Sequence, residues 1–180
     1  RLGDRLYLSC QRLDRDNGWG PVGDSFLIVV DIASDTLVDV DPQAEGIQGI
    51  LLSVANPNSV VAIGDRIAVG VISNFGDRVG GIDIVDPISN ASLGLAISEA
   101  DLGGDITFLA MVNNVEGYAI VTDENFVNIV RPVNLETGQV GAALDNLSGG
   151  FIPSIAVDGD RLLVADRGSF SAPEDAGVKV

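Results

Sequence analysis

Gly64-Asp65-Arg66-Ile67-Ala68-Val69 reads as a tight turn running into a β-strand, and the chain contains this hexapeptide pattern three times. It stands first as Gly3-Asp4-Arg5-Leu6-Tyr7-Leu8 and last as Gly159-Asp160-Arg161-Leu162-Leu163-Val164. Val115-Glu116-Gly117-Tyr118-Ala119-Ile120 is a weaker copy. Taking Leu6, Ile67, Tyr118 and Leu162 as equivalent gives spacings of 61, 51 and 44 residues. A Gly-Asp pair supplies the positive-φ positions of a short hairpin, and the aliphatic residues after it suit a buried strand.

A second marker follows the first each time. Asp31 in Ile28-Val29-Val30-Asp31, Asp86 in Asp83-Ile84-Val85-Asp86 and Asn134 in Arg131-Pro132-Val133-Asn134 align at spacings of 55 and 48. Two markers recurring in one order define a repeat of about fifty residues. Each repeat divides into four short strands. The first is Ser59 to Ile63, Phe108 to Val112 or Ser154 to Val157, and the second is Arg66 to Ile72, Tyr118 to Thr122 or Arg161 to Ala165. The third is Phe26 to Asp31, Gly81 to Asp86 or Val127 to Val133, and the fourth is Thr36 to Val40, Ser92 to Ile97 or Gln139 to Leu144. Helical periodicity is absent beyond one expected turn near Ser98-Glu99-Ala100-Asp101.

Four antiparallel strands per unit of this length predict an all-β fold, a β-propeller of four-stranded blades. A β-sandwich does not predict repetition, and β-helix rungs are shorter. The blades are expected as a partial one over residues 1–58, whole ones over 59–104 and 105–150, and a partial one over 151–180. An arc of three to four blades does not close. The segment alone is therefore expected to be marginally stable, self-associating, or both.

Composition supports strands and turns. Of 26 acidic residues 20 are Asp, a turn former, and there are 22 Gly. The net charge of −16 is spread evenly, with 13 acids against 6 bases in residues 1–90 and 13 against 4 in residues 91–180. No basic stripe exists to displace counterions from phosphates, so nucleic acid is excluded as a partner. No apolar run is long enough for a membrane helix. The chain has no His, which removes the usual general base and metal ligand from it, and no cofactor motif is present. Its one cysteine, Cys10, lies in the alternation Leu6, Leu8, Cys10 and is expected to be a buried small hydrophobe.

Pro153-Ser154-Ile155-Ala156-Val157-Asp158-Gly159-Asp160-Arg161-Leu162-Leu163-Val164-Ala165-Asp166 resembles the repeat of surface-layer, YVTN-type bacterial β-propellers. Ala119-Ile120-Val121-Thr122-Asp123 and Ile82-Asp83-Ile84-Val85-Asp86 fit the same slots, and Asn134-Leu135-Glu136-Thr137-Gly138-Gln139-Val140 fits its hairpin. Ala68 and Leu163 depart from the tyrosine slot. The resemblance implies a parent of about seven blades, or roughly 350 residues. It also implies a secreted protein in the periplasm, in an outer-membrane lipoprotein or on the cell surface, and it does not imply one activity. In a bacterial setting the sequons Asn90-Ala91-Ser92 and Asn146-Leu147-Ser148 would be idle.

The repeat sorts the loops by face. One face of such an array carries only tight turns. The other is expected to carry the loops Gln11 to Ser25, Ser73 to Gly80, Asp123 to Phe126 and Asp166 to Ala176, with the connectors Pro42 to Ser59, Glu99 to Thr107 and Asn146 to Pro153. Long loops on a rigid scaffold are where binding residues collect. Arg12, Arg15, Trp19, Phe75, Arg78 and Arg167 on that face are the candidate ligand-binding residues, for an unknown protein or glycan. Asp14-Arg15-Asp16-Asn17-Gly18 is similar to the opening of a calcium loop. Ser25 stands where the closing Glu belongs and Gly18 comes one position early, so no metal is expected. Asp83 and Asp86 flank an apolar pair, and the repetition of Asp86 as Asp31 and Asn134 points to a turn-forming role. The function expected is non-enzymatic recognition or scaffolding. The alternatives are a lyase or hydrolase with its site in a central channel, and a purely structural surface-layer repeat.

Overall fold

A computed structural model describes residues 1–145, 147, 149–169, 171 and 173–180 of the chain. The fold is all-β, with four antiparallel sheets among the described residues. The first sheet contains β1 (Arg5–Cys10), β2 (Phe26–Asp31), β3 (Thr36–Val38) and β4 (Ile50–Leu51). The second contains β5 (Pro57–Ile63), β6 (Arg66–Val71), β7 (Gly81–Asp86) and β8 (Ala91–Ser98). A four-residue helix, α1 (Glu99–Leu102), leads to the third sheet of β9 (Asp105–Met111), β10 (Glu116–Thr122), β11 (Asn128–Asn134) and β12 (Gln139–Val140). The fourth has β13 (Ser154–Asp158), β14 (Arg161–Asp166) and β15 (Gly177–Lys179), with a 3₁₀ turn at Pro173–Asp175. No described helix is long and apolar enough to cross a membrane.

Each sheet is a meander, and successive sheets stack face to face. Side chains alternate across a strand, so one strand feeds two interfaces. Ile67, Val69 and Val71 of β6, with Val85 of β7, pack on Tyr7, Leu27 and Val29 of the first sheet. Ala68, Ile82 and Ile84, on the other face, pack on Ala119, Val121 and Val133 of the third sheet. Ile120 and Val130 in turn meet Ile155 and Val164 of the fourth. Strands covered on both faces need apolar residues at consecutive positions, which is why β6 is buried from Ile67 to Val71 without a break. The first strands of the second, third and fourth sheets lie side by side, β5 by β9 and β9 by β13, and β1, which matches β6 in register, lies by β5.

Strands β2 and β7 occupy the residues expected of them, and Ser98 caps α1 by accepting the Asp101 amide at 3.2 Å. Val69, Ile84, Ile120 and Val164 are buried between sheets, whereas Val60 is half-buried. The pairing also corrects several expectations. Gly117 pairs with Val133 as Ile67 pairs with Val85, so Gly117, not Tyr118, holds the Ile67 place in the third sheet. The longer turn before β10 displaced the alignment by one residue.

The outer strands β3 and β12 are shorter than expected, because the chain leaves regular pairing early. Beyond β12, the Gly141 and Leu144 amides still bond the Pro132 and Val130 carbonyls. In the first sheet the outer strand is split: β3 pairs with Val29 to Asp31, residues 39–49 make an excursion, and β4 returns to pair with Phe26 and Leu27. That return needs Gly49, where a Cβ would fall 2.6 Å from the Leu27 carbonyl oxygen. The excursion lengthens the first spacing.

The expected burial of Cys10, in the alternation Leu6, Leu8, Cys10, does not hold. Leu6 and Leu8 are 37% and 46% exposed, Cys10 is half-buried, and their neighbour Tyr7 is buried. Tyr7 faces the second sheet, and Leu6 and Leu8 lie on the opposite face, which no sheet covers among the described residues.

Candidate functional site

The loops between second and third strands gather at one end of the sheets. The first folds back as a small hairpin: the Asp14 amide bonds the Gly20 carbonyl at 2.9 Å, and the Val22 amide bonds Arg12's at 2.7 Å. At its tip Trp19 is 58% exposed, with the Arg15 guanidinium 5.5 Å from the ring centre. Gly20 lies against the Asn74 side chain of the second loop. Phe75 follows, and its ring stacks on Phe126 of the third loop at 5.4 Å and an interplanar angle of 5°. Such offset pairs contribute roughly 0.5–1.5 kcal/mol beyond burial. Phe126 remains 75% exposed and forms one wall of a groove of about 710 Å³. Phe151 and Arg167 line the same groove, with the guanidinium 5.2 Å from the Phe151 ring centre.

Trp19, Phe75, Phe126 and Phe151 thus put exposed aromatic rings on segments flanking all four sheets, at one end. Backbone strain sits at the same end. Trp19, Ser73, Arg78 and Phe126 have φ of 63°, 63°, 59° and 60°. At the short-turn end the comparable positions are Asp35 and Asn90, residue types that tolerate the left-handed region. A bulky side chain held there costs on the order of 1 kcal/mol, and such strain clusters at binding sites.

Arg78 has a different role from the one expected. Its side chain is 26% exposed and lies 3.7 Å from buried Asp105, and it donates to the Thr122 carbonyl at 3.4 Å. It fastens the second loop to the third sheet. Arg12 is likewise engaged, donating to the Asp24 carbonyl at 3.4 Å. Arg15, Trp19, Phe75 and Arg167 remain at the open surface. Phe126 and Phe151 were missed by sequence reasoning; each lies in a loop or connector already assigned to this face, and an apolar ring in a polar loop was the available signal.

The buried carboxylates among the described residues are spent on the protein itself. Glu99 accepts the Gly80 and Ile106 amides at 3.0 Å each, one on each oxygen. Asp105 accepts the Gly76 amide at 2.9 Å. Asp83 accepts the Ser53 amide at 2.8 Å and the Ser92 hydroxyl at 2.6 Å. Asp166 accepts the Gly168 amide at 2.9 Å. Carboxylates tied down in this way fix loops and connectors to strands. Asp31, Asp86 and Asn134 each accept bonds from the turn that follows, at Ser34, Ile88 and Glu136. Asn90 lies on such a turn, and the second sequon, at Asn146 and Ser148, lies outside the described residues.

The Asp14 carboxylate accepts the Asp16 amide at 3.0 Å, which closes the turn on itself. No group of three or more metal-ligating side chains occurs among the described residues. Calcium titration calorimetry is expected to show no micromolar binding. Saturable heat that vanishes in Asp14→Ala would contradict that expectation.

No protein-family model matches the chain, and comparison with curated proteins finds no match.

Proposed function

We propose that the four sheets are consecutive blades of a β-propeller, and that the protein is a non-enzymatic recognition scaffold which holds a protein or glycan ligand on its long-loop face. Neighbouring first strands and one repeated face-to-face register support the propeller reading. The likeness of Pro153 to Asp166 and Asn134 to Val140 to surface-layer repeats supports a bacterial, extracytoplasmic setting.

The observation that carries the function is the row of exposed rings at the long-loop end, two of which, Phe126 and Phe151, line the groove. Aromatic anchors offer large contact area at low entropic cost, and solvent exposure of several together at one end marks a recognition surface. The strong negative charge disfavours polyanionic ligands and leaves neutral or basic ones. A fluorescently labelled chain applied to glycan and bacterial surface-protein arrays tests this. Phe126→Ala and Phe151→Ala should each weaken the hits roughly tenfold or more, with melting lowered by no more than loss of the Phe75 stack or the Arg167 contact accounts for. Hits that ignore both substitutions and depend on Asp35 or Asn90 would place recognition at the opposite end and refute the proposal.

A further inference from the structure

The groove beside Phe126 has walls that the backbone fixes on both sides. Phe126 sits in a turn closed by Asp123: the Phe126 amide donates to the Asp123 carbonyl at 3.1 Å, and the Asp123 carboxylate accepts the Val127 amide at 2.9 Å. On the other wall the Ile152 amide donates to Asn128 Oδ1 at 2.8 Å, and the Arg167 amide donates to the Phe151 carbonyl at 3.1 Å. Phe151 and Arg167 are thereby held together, with the guanidinium 5.2 Å from the ring centre. Among the described residues that line the groove, Arg167 is the one charged side chain. Acids outnumber bases 26 to 10 in the chain, yet among the described residues no carboxylate lies within ion-pair distance of Arg167. Arg78, by contrast, stands 3.7 Å from Asp105. An arginine stacked on a ring keeps the edge of its planar fork available, and that edge matches the two oxygens of a carboxylate.

We infer that the groove holds the terminal acidic sugar of a glycan, a pyranose ring bearing one carboxylate, with the carboxylate on the Arg167 guanidinium and an apolar ring face on Phe126. This deepens the recognition reading and rests on it. The occupant follows from charge and chemistry. A single unpaired cation calls for a single negative group, and the net charge of −16 disfavours a ligand that carries many. A glycan that is neutral apart from one carboxylate meets both conditions. The exposed ring of Phe126 offers an apolar platform without a hydrogen-bonding group, which suits the C–H face of a sugar. Glu124 and Glu174, each next to a residue that lines the groove, are exposed carboxylates able to accept hydroxyl hydrogens. A sugar is rich in such donors and the C-terminus of a peptide is not. Walls fixed before the ligand arrives lower the cost of ordering them.

Titration calorimetry on the whole chain with three probes tests the inference: a short oligosaccharide ending in glucuronate, the same oligosaccharide ending in glucose, and a peptide with a free C-terminal carboxylate. The glucuronate probe should bind roughly tenfold tighter or more than its glucose counterpart. Arg167→Gln should erase that difference, and Arg167→Lys, which keeps the charge without the fork, should restore only part of it. Circular dichroism verifies that both variants are folded. Equal affinities for the two oligosaccharides, binding of neither, a preference that survives Arg167→Gln, or a peptide bound more tightly than the glucuronate probe would each overturn the inference. The recognition reading fails on a different result, array hits that ignore Phe126→Ala and Phe151→Ala. Two oligosaccharides bound alike, and both lost in Phe126→Ala, would therefore remove the acidic sugar and leave the recognition surface standing.

Discussion

Raising the pH from about 4.5 to about 7 should destabilise the protein through one residue, Glu99. Its side chain is fully buried, and burial, with the Asp105 charge adding to it, pushes its carboxyl from the ordinary 4.5 up to about 7 against the amides of Ile106 and Gly80. The folded state then binds the Glu99 proton more tightly than the unfolded chain does. Stability from this group is fully present below about 4.5, falls as pH rises and is flat above about 7. At about 1.4 kcal/mol per pH unit the full loss is roughly 3–4 kcal/mol. Asp31, Asp86 and Asp123 act in the opposite sense. Bonds from the Ser34 amide, the Ser89 hydroxyl and the Val127 amide hold them below the ordinary 3.8, so their contribution is lost as pH falls further. Urea melts at stepped pH should show greatest stability near the lower end of the Glu99 range, and the slope should vanish in Glu99→Gln. A profile flat from 4.5 to 7, or a slope unchanged in that variant, would contradict the assignment. Glu99→Ala strips the acceptors from two amides, Gly80 and Ile106, and should cost about 2–5 kcal/mol.

Two residues in equivalent register should respond very differently to truncation. Ile67 pairs with Val85 and is 1% exposed, and Leu6 pairs with Val30 and is 37% exposed. Ile67→Ala opens a cavity between the first and second sheets and should cost about 2–5 kcal/mol. Leu6→Ala should cost less, roughly 1–2 kcal/mol, because more than a third of that residue already faces water. Denaturant melts of the two variants decide it. Equal losses would mean that Leu6 is covered within a single copy.

Much of the fold could be read in advance because its strongest determinants are local. Gly64-Asp65 and Gly159-Asp160 dictate hairpins by backbone conformation alone, and uninterrupted apolar runs such as Ile67 to Val71 announce strands covered on both sides. What escaped depends on distant partners. Whether Leu6 or Tyr7 is buried is decided by where the second sheet lies, and the alternation reads equally well either way. Strand β4 is two residues long and exists only because Gly49 lets the chain approach Leu27. At the loop end, Trp19, Phe75 and Arg167 were legible as unusual residues in long loops. The Phe75–Phe126 stack joins loops of different sheets, and no pattern within either loop predicts it. Arg78 looked free because its partner, Asp105, lies 27 positions away across the next sheet.

The central claim is that four sheets follow one another in series, each with a backward and a forward face. Methyl-labelled Ile, Leu and Val nuclear Overhauser spectra test it most directly. Three separate networks are predicted: Ile67, Val69 and Val85 with Leu27 and Val29; Ile82 and Ile84 with Leu109 and Val121; and Ile120 and Val130 with Ile155 and Val164. Cross-peaks joining the first network to the third, as a two-sheet sandwich with one shared core would give, would contradict the account.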